Sequence, residues 1–222
     1  MKVLILGASG MIGQGVLREC LRDASVSAVL SIGRSACGTV DAKLTEYLQA
    51  DLGDLSALQP VLVGLDACFF CLGVSSVRLP EAEYERITHG LTISVAQALI
   101  GANGQLTFVY VSGQGTDSSE QGRSRWARVK GRTENQLLAM PFKAAFMFRP
   151  GAVQPLQGIT SKTRLYRRLY VLLAPLLGLA RRLFPLAIIT TAQLGRAMIL
   201  VARQGYPRPI LEAADISRLG SS

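Results

Sequence analysis

Three glycines near the start decide what this chain can fold into. Gly7, Gly10 and Gly13 are spaced G-x-x-G-x-x-G and follow an apolar run from Val3 to Leu6. The length and branched side chains of that run suit a strand buried on both faces. A helical pattern follows through Ile12, Val16, Leu17, Cys20 and Leu21. The unit is strand, tight turn, helix. Gly7 permits the sharp turn, Gly10 lets backbone come close to an anion, and Gly13 lets the helix pack near the strand. Unpaired N–H groups and the positive end of the helix dipole then converge on one point, which is how a chain holds a phosphate. Ser9, Met11 and Ile12 fill the turn and the first helical positions and are expected to line that phosphate site with the glycines.

Beyond the turn, strands and helices alternate. Apolar runs predict strands over 26–32, 44–48, 66–72, 106–111, 144–148 and 209–211. Helical spacing predicts helices over 55–63, capped by Asp54, and over 81–100, 125–140 and 191–203. Alternation of this kind means crossover units and a parallel sheet with helices on both faces, an α/β architecture. A chain of 222 residues makes one such domain.

Composition narrows the function classes. With 49% hydrophobic and 18% charged residues the chain is not a disordered one. The net charge of +9 suits a phosphorylated ligand or an anionic surface, but no nucleic-acid-binding motif accompanies it, so no nucleic-acid partner is expected. His89 is the single histidine, which excludes histidine triads and histidine-rich metal sites; no metal is expected. Cys68 and Cys71 match C-x-x-C inside an apolar strand, where positions three apart face opposite ways, and both read as packing. No signal peptide and no apolar run of spanning length is read, and a cytoplasmic protein is expected.

In parallel sheets the ligand lies over the carboxyl ends of the strands. An acidic residue about 20 positions after the glycine motif would take the ribose 2′-hydroxyl of NAD. Here that region carries Gly33, Arg34 and Ser35. A guanidinium binds a 2′-phosphate in bidentate fashion and a hydroxyl donates to it, so NADP is favoured over NAD. A solvated loop charge is the plainer reading of Arg34. Asp51 and Leu52, after the third strand, are placed to meet an adenine ring; a turn aspartate is the alternative.

With these residues in view the chain resembles the short-chain dehydrogenase/reductase superfamily, and within it the small atypical NAD(P)-binding, epimerase/dehydratase-like members. The resemblance covers Met1 to about Pro155 and rests on Gly7 to Gly13, Asp51-Leu52, Cys71-Leu72-Gly73, Tyr110-Val111-Ser112-Gly113 and Arg149-Pro150-Gly151. It implies a Rossmann-type doubly wound sheet spanning residues 1–222 as a single domain, with 156–190 as a cap on the substrate side. It implies that Leu72 and Gly73 line the adenosine ribose side, that Pro150 and Gly151 meet the nicotinamide carboxamide, and that Ser112 polarises a substrate carbonyl.

The sequence departs from the family at one place. The family pairs a tyrosine with a lysine four residues later. This chain has Trp126-Ala127-Arg128-Val129-Lys130. The spacing keeps Trp126 and Lys130 on one helical face, so Lys130 can still hold the nicotinamide ribose. An indole N–H donates a hydrogen bond but is no working acid. Trp126 either orients substrate or simply packs. The polar stretch 113–124 is expected to form part of the pocket mouth, with Thr116 and Arg123 either contacting substrate or simply carrying the polarity of a loop. Residues 162–182 alternate basic clusters with an apolar strip, which reads as a roof over the pocket or as a peripheral membrane or subunit contact. Two functions remain open: a small reductase moving hydride between NADP(H) and a carbonyl or enone, with Ser112, Trp126 and Lys130 in the catalytic positions, or a non-catalytic protein that senses NADPH. The substrate is a small molecule that the residues do not name.

Overall fold

The computed structural model describes residues 1–77, 79–156 and 188–221. In chain order the elements are β1 (Lys2–Leu6), α1 (Met11–Arg22), β2 (Ala28–Gly33), β3 (Leu44–Leu48), a 3₁₀ turn (Ser56–Leu58), α2 (Gln59–Leu62), β4 (Ala67–Phe70) and α3 (Glu81–Glu85). A π-helical turn (Arg86–Gly90), α4 (Leu91–Asn103), β5 (Thr107–Val111), α5 (Arg125–Ala139), β6 (Ala144–Arg149) and β7 (Ala152–Gln154) follow. The described chain closes with β8 (Ile188–Thr190), α6 (Thr191–Gln204), β9 (Ile210–Glu212) and α7 (Ala213–Ser221).

Seven strands form one parallel sheet in the order β3-β2-β1-β4-β5-β6-β9. β1 sits near the middle, with Val3 opposite Val29 on one side and Ala67 on the other. Its side chains alternate between two cores, as the two-residue period of a strand requires. Val3 and Ile5 join Val16, Leu194 and Met198 on the face covered by α1 and α6. Leu4 and Leu6 join Leu55, Val95, Leu99 and Leu137 on the face covered by α2, α4 and α5. This is the doubly wound, Rossmann-type α/β architecture read from the sequence. The order reverses between β1 and β4, and the crevice over their carboxyl ends is where such sheets take ligands.

Three local expectations change. Residues 55–63 do not make one helix: the chain forms the 3₁₀ turn and then a single α turn. Pro60 supplies no backbone N–H and Gly64 turns the chain with a positive φ, so there is no room for a longer helix. The helix expected over 81–100 extends to Asn103 and is interrupted by the π-helical turn Arg86–Gly90. The C-terminus adds α7, which packs along α6. The cap expected over 156–190 and the strip 162–182 lie, apart from residue 156 and β8, outside the described residues. β8 pairs with β7 in a second, two-stranded parallel sheet.

Candidate functional site

The glycine turn has the tight geometry its spacing demands. Gly7 adopts φ +86, and a methyl group built on Gly13 would stand 2.0 Å from the Gly7 carbonyl oxygen. α1 begins at Gly10 with no side chain capping its first N–H groups and no acidic residue in its first turn. An anion is the natural partner for such an end, and the cradle accepts no side chain. Gly10, Met11 and Ile12 line a cleft of about 460 Å³. Ser9 is not among the residues lining it; its hydroxyl accepts from Ser35 at 3.3 Å.

The same cleft gathers residues from four strand ends. Leu72 and Gly73 after β4, Ser112 after β5, Lys130 on α5, and Pro150 and Gly151 after β6 all line it, together with Cys71, Val74, Gly113, Ala152 and Val153. Over Leu72, Gly73 and Val74 it continues into a second cavity of about 350 Å³ lined by Arg34, Asp51, Leu52, Glu83 and Arg86. Two cavities sharing the wall Leu72-Gly73-Val74, one at an uncapped helix end and one beside the Arg34 guanidinium, fit an elongated phosphorylated ligand such as a dinucleotide. Among the described residues no cluster of histidine, cysteine or carboxylate side chains is arranged to hold a metal.

Within the second cavity Arg34 is exposed and has no carboxylate bonded to it among the described residues. Arg86, by contrast, donates to both oxygens of Glu83 at 3.1 and 2.8 Å. Asp51 accepts from the Gly53 N–H at 2.8 Å, a local turn that aims its carboxylate along the loop.

Ser112 and Lys130 come together in the cleft; Trp126 does not join them. The indole sits at the first turn of α5, half-buried, where a methyl group on Gly115 would meet it at 3.5 Å. Lys130 places its ammonium 5.5 Å from the centre of the Tyr110 ring. Burial lowers its pKa to about 8, against the opposing pull of Glu134. Burial raises the Tyr110 phenol far above its ordinary range, so that group is no proton donor near neutrality. It pushes the Cys71 thiol up to about 12; Cys71 follows β4 and lines the cleft rather than lying inside the strand, whereas Cys68 is buried in β4 as read.

Behind Ser112 lies a network that motif spacing does not reveal. Ser112 Oγ is 2.5 Å from Glu134 Oε1 and 3.1 Å from the Phe148 carbonyl. Glu134 is fully buried, and Arg149 donates to it through Nε at 3.1 and 3.2 Å and through Nη2. Arg149 also reaches Ser118 and, at 3.3 Å, Glu212. Two signals point to this pair: Glu134 stands four residues after Lys130 on one helix, and Arg149 ends an otherwise apolar strand that would bury an unmatched charge.

The loop 113–124, expected to form part of the pocket mouth, contributes to the cleft at its first residue. Only Gly113 lines the cleft; the rest folds onto α5. Asp117 N–H donates to the Ala127 carbonyl, and Asn135 donates to the Ser118 carbonyl at 3.0 Å. The approach is close enough that a methyl group on Gly131 would stand 1.8 Å from Asp117 O. Thr116 is buried and bonded to the Gly113 carbonyl. Neither Thr116 nor Arg123 lines the cleft. His89 bonds Gln136 at 2.8 Å, away from the cleft.

Comparisons with known proteins agree with this fold. A model of the NAD dependent epimerase/dehydratase family matches residues 3–124. Protein fmp52-1, mitochondrial, of Aspergillus terreus is 29% identical over 157 residues, 68% of this chain and 66%, just under two thirds, of that protein. Protein FMP52, mitochondrial, of Chaetomium globosum is 28% identical over 229 residues, 98% of this chain and 96% of that protein. Among solved structures, an oxidoreductase of the short chain dehydrogenase/reductase family from Burkholderia thailandensis superposes with a TM-score of 0.70 at 17% identity, over 96% of this chain and 90% of that one. The last likeness is one of fold. The fungal names overturn the expectation of a cytoplasmic protein. The physical reason is plain: residues that build a core and a cleft carry no cellular address.

Proposed function

Because this chain belongs to the NAD dependent epimerase/dehydratase family, as an atypical short-chain dehydrogenase/reductase-like NAD(P)-binding protein, we propose that it binds NADP(H) along the two joined cavities and acts as an oxidoreductase on a small organic substrate. The observation that carries this reading is the uncapped, glycine-lined start of α1 opening into the cleft that also holds Ser112 and Lys130. Met11 and Ile12 would take the pyrophosphate on backbone N–H groups, while Gly10, whose own N–H is bonded to the Gly7 carbonyl at 2.9 Å, would let the phosphate come close. Leu72 and Gly73 would flank the adenosine ribose, Asp51 and Leu52 the adenine, and Pro150 and Gly151 the nicotinamide end. Arg34 and Ser35 would bind a 2′-phosphate, which supports NADP over NAD. When bound, the cofactor supplies or takes a hydride at its nicotinamide ring. Lys130 would hold the adjoining ribose, and Ser112 would stand at the substrate end of the cleft, where a carbonyl or enone and its corresponding alcohol would be interconverted.

A second reading has one observation in its favour. Trp126 occupies the place where the resembled family carries its phenol, and its ring packs on Gly115 rather than lining the cleft. On that reading the protein binds NADPH without turning it over and signals the bound state. Titration of the purified protein with NADPH and NADH, followed by NADPH consumption against a panel of carbonyl compounds, separates the two. Tight NADPH binding with measurable consumption supports the oxidoreductase, tight binding without consumption supports the sensor, and no binding of either nucleotide rejects both.

A further inference from the structure

Ser112 Oγ carries one proton, and both polar groups beside it can only accept. One is the Phe148 carbonyl at 3.1 Å; the other is Glu134 Oε1 at 2.5 Å. Arg149 donates to both oxygens of Glu134 inside the protein, so Glu134 is a carboxylate, and a hydroxyl at that distance makes a charge-assisted bond to it. The Ser112 proton is therefore turned inward. Among the described residues no protein donor is hydrogen-bonded to Ser112 Oγ, and the Lys130 ammonium lies 5.5 Å from the centre of the Tyr110 ring. Ser112 nevertheless lines the cleft. With its one proton engaged, the hydroxyl oxygen keeps only a lone pair for a ligand.

We propose that Ser112 is a hydrogen-bond acceptor toward substrate, locked in that role by the Glu134–Arg149 pair, so that the substrate end of the cleft selects a ligand hydroxyl over a bare carbonyl or ether oxygen. The inference rests on the NADP(H)-binding reading for the location of the substrate end, and it replaces the polarising serine implied by the family resemblance. Glu134 and Arg149 are positioning residues: they touch no substrate and act through the direction of one O–H bond. A serine free to rotate would donate or accept with equal ease; this one has its donor engaged, and a ligand bearing only acceptors would bring two lone pairs together.

Two measurements test it. Neutron diffraction from the deuterated protein locates the proton directly. The deuteron is expected on Ser112 Oγ, directed at Glu134 Oε1 or the Phe148 carbonyl; a deuteron on Glu134, or on Ser112 and directed into the cleft, overturns the proposal. The second measurement titrates phenol and anisole, matched rings of which one carries an O–H and the other only an ether oxygen, into NADPH-loaded protein by NMR. Phenol is expected to bind about fivefold more tightly, the scale of one hydrogen bond, and Ser112→Ala to remove the difference. Equal affinities in the parent, or a preference that survives Ser112→Ala, overturn it. Cofactor loading is measured first: failure to load NADPH would refute the cofactor reading, while the deuteron position, read on the protein alone, is independent of it.

Discussion

The Glu134 carboxylate and the Arg149 guanidinium face each other on the inner side of Ser112, the first fully buried and the second 11% exposed. They join α5 to the end of β6. Through Ser118 and Glu212, Arg149 also ties in the loop after β5 and the strand β9. A charge taken this far from water is tolerable only because its partner is there.

Removing one partner should therefore cost more than removing both. Glu134→Leu or Arg149→Met alone is expected to destabilise the fold by ~3–5 kcal/mol, the scale of an uncompensated buried charge. The double variant is expected to recover much of that loss. Urea denaturation of the three variants checks it, and additive losses would show that the pair is not coupled.

Lys130 should leave a signature in the pH dependence of stability. The unfolded chain keeps this proton up to about pH 10.5, whereas burial makes the folded chain release it near 8. Between those values the unfolded state binds more protons, so stability contributed by this group rises with pH; below 8 both states are protonated and it adds no slope. The melting temperature of the parent relative to Lys130→Met is expected to climb from pH 8 to 10.5. NADPH should narrow that window, because an anionic ligand beside the ammonium raises its folded pKa. A difference between the two proteins that is flat across this range would contradict the buried-lysine assignment.

Arg34 should set the choice of nucleotide. The parent is expected to bind NADPH more tightly than NADH, and Arg34→Ala to weaken NADPH by ~1–3 kcal/mol, the scale of a charge-assisted hydrogen bond, while sparing NADH. Calorimetric titration reads both. Equal affinities in the parent would leave Arg34 a solvated loop charge.

Trp126 should limit proton exchange. Trp126→Tyr places a phenol four residues before Lys130, where the ammonium favours its ionised form. That variant is expected to reduce carbonyl compounds faster than the parent, within the ~10²–10⁴-fold range of general acid catalysis. Brisk reduction by the parent, abolished in Trp126→Phe, would instead give the indole a part in the chemistry.

Much of this architecture is legible in the amino-acid sequence alone. The strand at Lys2–Leu6, its glycine turn and the alternation behind it specify a parallel α/β sheet because each rests on local physics: a side-chain period, a backbone conformation open to glycine, and the length of a crossover. The strand ends bearing Arg34, Asp51, Leu72, Ser112 and Pro150 can be named because a parallel sheet delivers all its carboxyl ends to one edge. What only the tertiary structure decides is which groups meet there. Ser112 and Glu134 are 22 positions apart, and Glu134 and Arg149 are 15 apart. They converge because β5 pairs with β6, Val111 opposite Phe148, while α5 crosses over both. No periodicity encodes that meeting, so the direction of the Ser112 hydroxyl, the displacement of Trp126 toward Gly115 and the fold-back of the 113–124 loop are set by packing between elements rather than by spacing within any one of them.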